Sequence, residues 1–342
     1  MDFCSLLKER KQRWMDFMDM SSPTRNVFLI HYYGDMPARP PQWPEKDREQ
    51  LEWIARMYEF YVEQTEWLTD DRVPFLDMLT GTEIFAEAFG CRVHRPETDM
   101  PFALPLVRSA GEASRLKAPE LGSSTLARLF EMADKLRELE GKQAVLRLPD
   151  IQSPMDITAL IWDKNDLFVA MLETPEAVKE LCGKVEQLLF AFLDEWFSRY
   201  GREFVAHFPC YYMPQGISVS EDEIGSVSPE MFEEFFLPHL VRLSERYGGI
   251  GIHCCATAKH QWHNFKKIPG LKLLNLVQPP EVLQDAYGFF SGHTAQMHSW
   301  CGGGPAWTWA ENFPGAKFVL EAYPGSRTEA EELSEKLQKI CR

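Results

Sequence analysis

Gly249-Ile250-Gly251-Ile252-His253-Cys254-Cys255-Ala256-Thr257-Ala258 is a short apolar run that stops at a histidine and two cysteines. It predicts a buried strand, and successive side chains in a strand point to opposite faces. His253 and Cys255 therefore project together, while Cys254 points away. An imidazole nitrogen and a thiolate sulfur converging at one strand end form a ligand pair for a zinc-type metal. The same residues also suit a plain core, because free cysteine is among the most buried residue types. A third ligand separates the two readings, since catalytic zinc takes three protein ligands and keeps one position open.

Seven further stretches on either side of this run read as strands. They are 26–33, 73–79, 142–148, 203–208, 271–276, 294–301 and 316–322. Helical spacing of apolar residues appears at 2–20, 45–69, 83–89, 123–140, 155–162, 175–199, 228–247 and 328–341. Thr82 is placed to cap the helix at 83–89, and Ser228 followed by Pro229 to open the one at 228–247. Pro238 predicts a kink in that helix. The proline-rich stretch 91–121 reads as irregular. Alternating strands and helices imply a parallel sheet, and eight units in one chain predict a (β/α)8 TIM barrel. We expect one domain over residues 1–342, in which 1–70 is an N-terminal helical extension that includes the first strand.

Composition narrows the function classes. Of 342 residues, 36 are Lys or Arg and 51 are Asp or Glu, a formal net charge of −15. Such a surface disfavours nucleic acid and anionic membranes as partners and leaves a small-molecule substrate. The eight cysteines at 4, 91, 182, 210, 254, 255, 301 and 341 lack the spacing of a disulfide framework. The charged N-terminus does not read as a signal peptide, and no run of about 18 apolar residues occurs. A reducing, cytoplasmic location is expected.

In a barrel the strand ends converge on one mouth, where chemistry is placed. The residues brought there are Asp77, Asp150, Gln152, Tyr211, Tyr212, His253, Cys255, Asn275, Cys301 and Glu321. Barrel closure would bring Cys301 or Glu321 to His253 and Cys255 as the third metal ligand. Asp150, Gln152, Tyr211 and Tyr212 would shape and polarise the pocket. His260, His263 and His298 are not expected to touch the metal.

Four stretches carry a resemblance to a known family: Val73-Pro74-Phe75-Leu76-Asp77, Asp150-Ile151-Gln152-Ser153-Pro154-Met155, residues 228–238, and His253-Cys254-Cys255 followed by Ile268-Pro269-Gly270-Leu271. The chain resembles the uroporphyrinogen decarboxylase-like (URO-D) superfamily. That group includes the tetrapyrrole decarboxylase and zinc-dependent methyltransferases that exchange methyl groups between corrinoid proteins and thiols such as coenzyme M. His253-x-Cys255 looks like the zinc motif of the methyltransferases. The resemblance implies bound Zn2+ and a partner corrinoid protein carrying methylcobalamin. It implies transfer of a methyl group to a thiol or other small acceptor.

The departures are specific. The decarboxylase holds substrate carboxylates with an Arg-Gln-Ala-Gly-Arg segment, and Ile30-His31-Tyr32-Tyr33-Gly34-Asp35 has no arginine pair. The methyltransferases place a third zinc-binding cysteine after strand eight, where this chain has Glu321-Ala322-Tyr323-Pro324. The rival expectations are a metal-independent decarboxylase or lyase of a small or aromatic carboxylic acid, and a barrel that binds a ligand without chemistry.

Overall fold

The computed structural model describes residues 2–341, apart from Arg25, Asp35, Pro37, Thr98, Lys142 and the stretch 299–312. In chain order the strands are β1 (Asn26–Ile30), β2 (Phe75–Leu76), β3 (Arg92–His94), β4 (Phe102–Leu104), β5 (Val145–Leu146), β6 (Phe204–Val205), β7 (Tyr212–Met213), β8 (Ile217–Ser220), β9 (Ile250–Cys254), β10 (Leu271–Leu276), β11 (Ala295–Gln296) and β12 (Phe318–Ala322). Six of them form a parallel sheet in the order β1-β12-β11-β10-β9-β8. Nearly every residue of these strands is buried, as expected of a parallel sheet covered on both faces.

The remaining wall is held by short pairings. β2 lies parallel to β5, and single bridging pairs join Arg147 to Val205 and Gln152 to Ser220. The parallel order therefore runs β2, β5, β8 and on through the main sheet to β1. The ladder is not closed among the described residues, so the continuous eight-stranded barrel of the sequence reading is not seen. At the gap between β1 and β2, side chains do the work of a strand. Asp71 Oδ2 accepts the Phe28 amide at 2.9 Å, and Asp70 Oδ2 accepts the Ile30 amide at 3.1 Å.

Four pieces depart from the sequence reading. β8, not 203–208, is the parallel neighbour of β9. β6 turns back into β7 as an antiparallel ribbon, because Pro209 cannot donate to a continuing ladder. The stretch 91–121 contains the β3–β4 hairpin and a helix at Ala110–Arg115. The helix at Ile84–Ala88 has Glu83 in the capping position with no side-chain cap, so Thr82 does not cap it.

Other local signals hold. Ser228 Oγ accepts the Met231 amide with Pro229 in the first turn. Ahead of Pro238, Phe232–Phe236 widens into a π-helical turn before the helix Leu237–Tyr247. Proline has no amide to give and its ring crowds the preceding turn, so the ladder loosens there.

The N-terminal helix Phe3–Met18 packs under the sheet with Trp14, Phe17 and Met18 buried. Trp14 Nε1 donates to the Asp71 carbonyl at 2.8 Å. Among the described residues no helix is long and apolar enough to cross a membrane.

Candidate functional site

The parallel register of three strands assembles the site. Ser220 of β8 sits opposite His253 of β9, and His253 sits opposite Asn275 of β10. Two residues beyond Ser220 is Asp222, and two beyond His253 is Cys255. Ligand atoms of Asp222, His253 and Cys255 all lie within 4.8 Å of one another. His253 and Cys255 thus share a face, as the alternation of a strand requires. Cys254 is buried, with its Sγ turned to the Ala256 carbonyl.

Each donor is held by a second contact. Asn275 Nδ2 donates to the Met297 carbonyl, so its Oδ1 faces His253 and accepts from Nδ1 at 2.5 Å. That fixes the proton on Nδ1 and leaves Nε2 with a free lone pair. Asp222 Oδ1 accepts the Cys255 amide at 2.6 Å. The loop carrying Asp222 is pinned by Asp156, whose carboxylate accepts the Asp222 amide at 2.7 Å and the Glu223 amide at 3.0 Å. Phe208 meets the His253 ring edge-on at 4.6 Å.

Electrostatics agree with a metal-accepting group. Burial pushes His253 below its ordinary range, so the imidazole is neutral. Burial, then the Asp222 charge, push the Cys255 thiol up to about 12. Without a cation the thiol keeps its proton. A carboxylate oxygen, a neutral imidazole and a thiol that a cation can ionise are a donor set for a borderline divalent metal such as zinc. Cys255 is itself exposed, so the group opens to solvent.

A second polar group lines the same mouth. Arg147 Nη1 pairs with Asp77 Oδ2 at 2.5 Å, and Arg147 Nη2 reaches the His207 carbonyl and Cys210 Sγ. Burial lifts Asp150 to about 7, and the Asp222 charge adds to the rise. Gln152 stands beside Ser220 with Oε1 buried and without a hydrogen-bond partner among the described residues.

The other expected residues are placed elsewhere. Tyr211 is buried, donates to Ser218 Oγ at 2.9 Å and packs near Trp14 of the N-terminal helix. Tyr212 donates to Glu203 Oε2 at 2.7 Å, beside Lys11. Both follow β6 as it reverses, which carries them toward the helix under the sheet. Glu321 is bound by His31 Nε2 at 2.9 Å and by the Tyr323 hydroxyl at 3.2 Å, and is not in the Asp222 group. Cys301 lies outside the described residues. His298 is buried between the Leu276 amide and Gln296, which makes it a core residue. His260 and His263 contact Val227 and Phe289. A cavity of about 500 Å³ at the opposite end of the strands is lined by Met15, Met18 and Lys272 and holds no such cluster.

The model of the uroporphyrinogen decarboxylase (URO-D) family matches residues 69–279, more than half of the chain. The chain belongs to the URO-D family. The match ends just beyond β10, so it takes in the strands bearing Asp222, His253 and Asn275. No curated protein matches this URO-D chain by sequence. Among solved structures, a methyltransferase from Methanosarcina mazei is similar, with a TM-score of 0.66 at 11% identity. The likeness covers 97% of this chain and 98% of that one. It makes the fold TIM-barrel-like.

In this URO-D chain Asp222 and His207 were missed from sequence. The sequence reading places the fourth strand at 203–208, whereas the strand that pairs with β9 is Ile217-Ser218-Val219-Ser220. That stretch alternates and then runs into Glu221-Asp222, which was the available signal. His207 carried no signal beyond its place at a strand end.

Proposed function

We propose that this URO-D protein is a metal-dependent methyltransferase whose metal is zinc. The convergence of Asp222, His253 and Cys255 within 4.8 Å carries the reading. The fold shared with a methyltransferase supports it. His253 would give Nε2, Cys255 its sulfur and Asp222 the oxygen not already taken by the Cys255 amide. Asp222 then replaces Cys301 or Glu321 as the third ligand.

When bound, zinc would lower the pKa of a substrate thiol so that it exists as a nucleophilic thiolate at neutral pH. The chain's own residues do the rest. Asn275 holds the imidazole in one tautomer, and Asp156 holds the Asp222 loop. Phe208 screens one side of His253, and the exposed side at Cys255 admits the acceptor. The methyl donor is a methylcobalamin carried by a partner corrinoid protein that docks at the strand ends of a single barrel domain in the cytoplasm.

Elemental analysis of the purified chain tests this, combined with methyl transfer from free methylcobalamin to 2-mercaptoethanol. We expect about one zinc per chain and thiol-dependent turnover. A metal-free protein that gains nothing from added zinc removes the reading.

Uroporphyrinogen is not the expected substrate. Its four acetate carboxylates need cationic partners, usually arginine. Arg147 is committed to Asp77, and Arg72 donates to the Ile30 carbonyl. Formation of coproporphyrinogen by the pure protein would refute this.

A further inference from the structure

The ribbon β6–β7 carries a histidine into the mouth that the metal group does not use. His207 is only 12% exposed, neither ring nitrogen has a well-aligned hydrogen bond among the described residues, and the Thr80 backbone lies close enough to act on the ring. A buried imidazole held this loosely leaves room for another group to meet it. Its Nδ1 lies 3.3 Å from Asp150 Oδ2, a charge-pair distance without hydrogen-bond alignment. No side-chain partner other than His207 is seen for the Asp150 carboxyl among the described residues. The next residue, Phe208, touches the His253 ring. His207 and Asp150 therefore form a pair facing each other, and Asp150 lies within electrostatic reach of Asp222 in the metal group.

We propose that His207, backed by Asp150, takes the proton of the substrate thiol at this site. The proposal rests on the methyltransferase reading above. The S–H bond breaks, its electron pair stays on sulfur, and the proton goes to His207 Nε2. Asp150, facing Nδ1, offsets the charge the ring has gained, so the pair holds the proton while the thiolate waits and gives it to water only after methyl transfer. His207 acts as base with Asp150 as its orienting carboxylate, an arrangement that serves general-base catalysis on many folds.

The surrounding charges fit this division of labour. The charged groups facing the pair are Asp77 from the end of β2, Arg147 from β5, Arg39 from the loop after β1, Asp222 after β8 and Glu83 ahead of the helix Ile84–Ala88. Asp77 and Arg147 offset each other, while Asp150 has only the more distant Arg39 against the like charges of Asp222 and Glu83. Burial holds His207 well below the usual histidine range, so the resting ring is neutral, and it keeps a proton only while the Asp150 charge faces it. Asp150, lifted to about 7, gains a proton below that pH and can no longer offset a charged ring. The pair accepts well above pH 7 and poorly below it.

The test uses the full chain loaded with zinc and 2-mercaptoethanol as the probe. Calorimetry in buffers of different ionisation heat counts protons released per thiol bound at pH 7. The unaltered chain should release clearly less than one proton to buffer, because the pair retains part of it. His207→Gln and Asp150→Asn should each release about one, with zinc content unchanged. Turnover of His207→Gln should fall about a hundredfold with little change in KM, and the acid limb near pH 7 should vanish in Asp150→Asn. Equal proton counts in all three proteins would overturn the assignment. Loss of zinc in both variants would also overturn it, because the pair would then be propping up the metal group. If the unaltered chain binds neither zinc nor the thiol, the methyltransferase reading fails first, and this role falls with it.

Discussion

Asn275 decides which nitrogen His253 can offer. Its amide is turned by the Met297 carbonyl, so its oxygen takes the His253 Nδ1 proton. Asn275→Ala should leave the fold and lower zinc affinity by about 10- to 100-fold, read by competition with a chromogenic chelator. Asp222→Asn and Cys255→Ser should lose most of the zinc, while Cys254→Ser should keep it because Cys254 is turned into the core. The sign of the pH dependence follows from Cys255. Its thiol is held up to about 12, so zinc must displace a proton. Apparent affinity should fall by about tenfold for each pH unit lowered. At this scale His253 and Cys255 were legible because a period of two is written in the sequence. Asp222 was not, because its approach depends on β8 pairing with β9, more than thirty residues away. Glu321 was misleading for the same reason. Its partner His31 reaches it only through the β1–β12 pairing.

At the scale of elements, the helix Pro154–Ile161 has a task beyond covering the sheet. Ser153 caps it, and Asp156 in its first turn holds the amides of Asp222 and Glu223. Asp156→Ala should weaken zinc binding without touching the metal, and should also destabilise the chain, because two half-buried amides lose their acceptor, at about 1 kcal/mol each. Zinc titration and a urea melt on the same variant check both effects. Long elements were readable here, since the helix Pro175–Tyr200 carries an uninterrupted apolar stripe. Two-residue strands such as β2, β5 and β11 have no period to read. Their neighbours in the chain order revealed them, and their true lengths did not show. The β6–β7 reversal escaped notice because its apolar run looks like any buried strand.

For the molecule as a whole, the N-terminal helix is structural. Arg10 lies 3.3 Å from Asp70, donates to the Leu68 and Arg72 carbonyls, and is 2% exposed. Arg10→Ala leaves Asp70 with Arg72 at 3.9 Å as its remaining cation and strips the Leu68 and Arg72 carbonyls of a donor, at about 1–3 kcal/mol each, which a thermal melt should show as a drop in Tm. The effect reaches β1, because Asp70 also holds the Ile30 amide. His298 adds a pH term. Burial pushes it to about 3 in the folded chain against an ordinary 6.5. The unfolded chain therefore binds that proton first, and stability should fall as pH drops from 6.5 toward 3. His298→Gln should flatten that part of the stability profile measured by chemical denaturation. The overall alternation was legible from sequence because it is repeated. The incomplete ladder between β1 and β2 was not, since two aspartates stand in for the missing pairing.

The partnership of β1 with β12 has a consequence for synthesis. Every residue of β1 pairs with one of Phe318–Ala322, and Lys317 grips the carbonyls of Asp16, in the last turn of the first helix, and of Asp19 and Ser22 just after it. Asn26 thus waits for Phe318, a partner made almost 300 residues later. While the ribosome works, one edge of β1 stays open, and an open edge invites other chains. Nascent chains stalled before residue 318 should be bound by chaperones and cut readily by protease, whereas release of the finished chain should abolish both within one folding time.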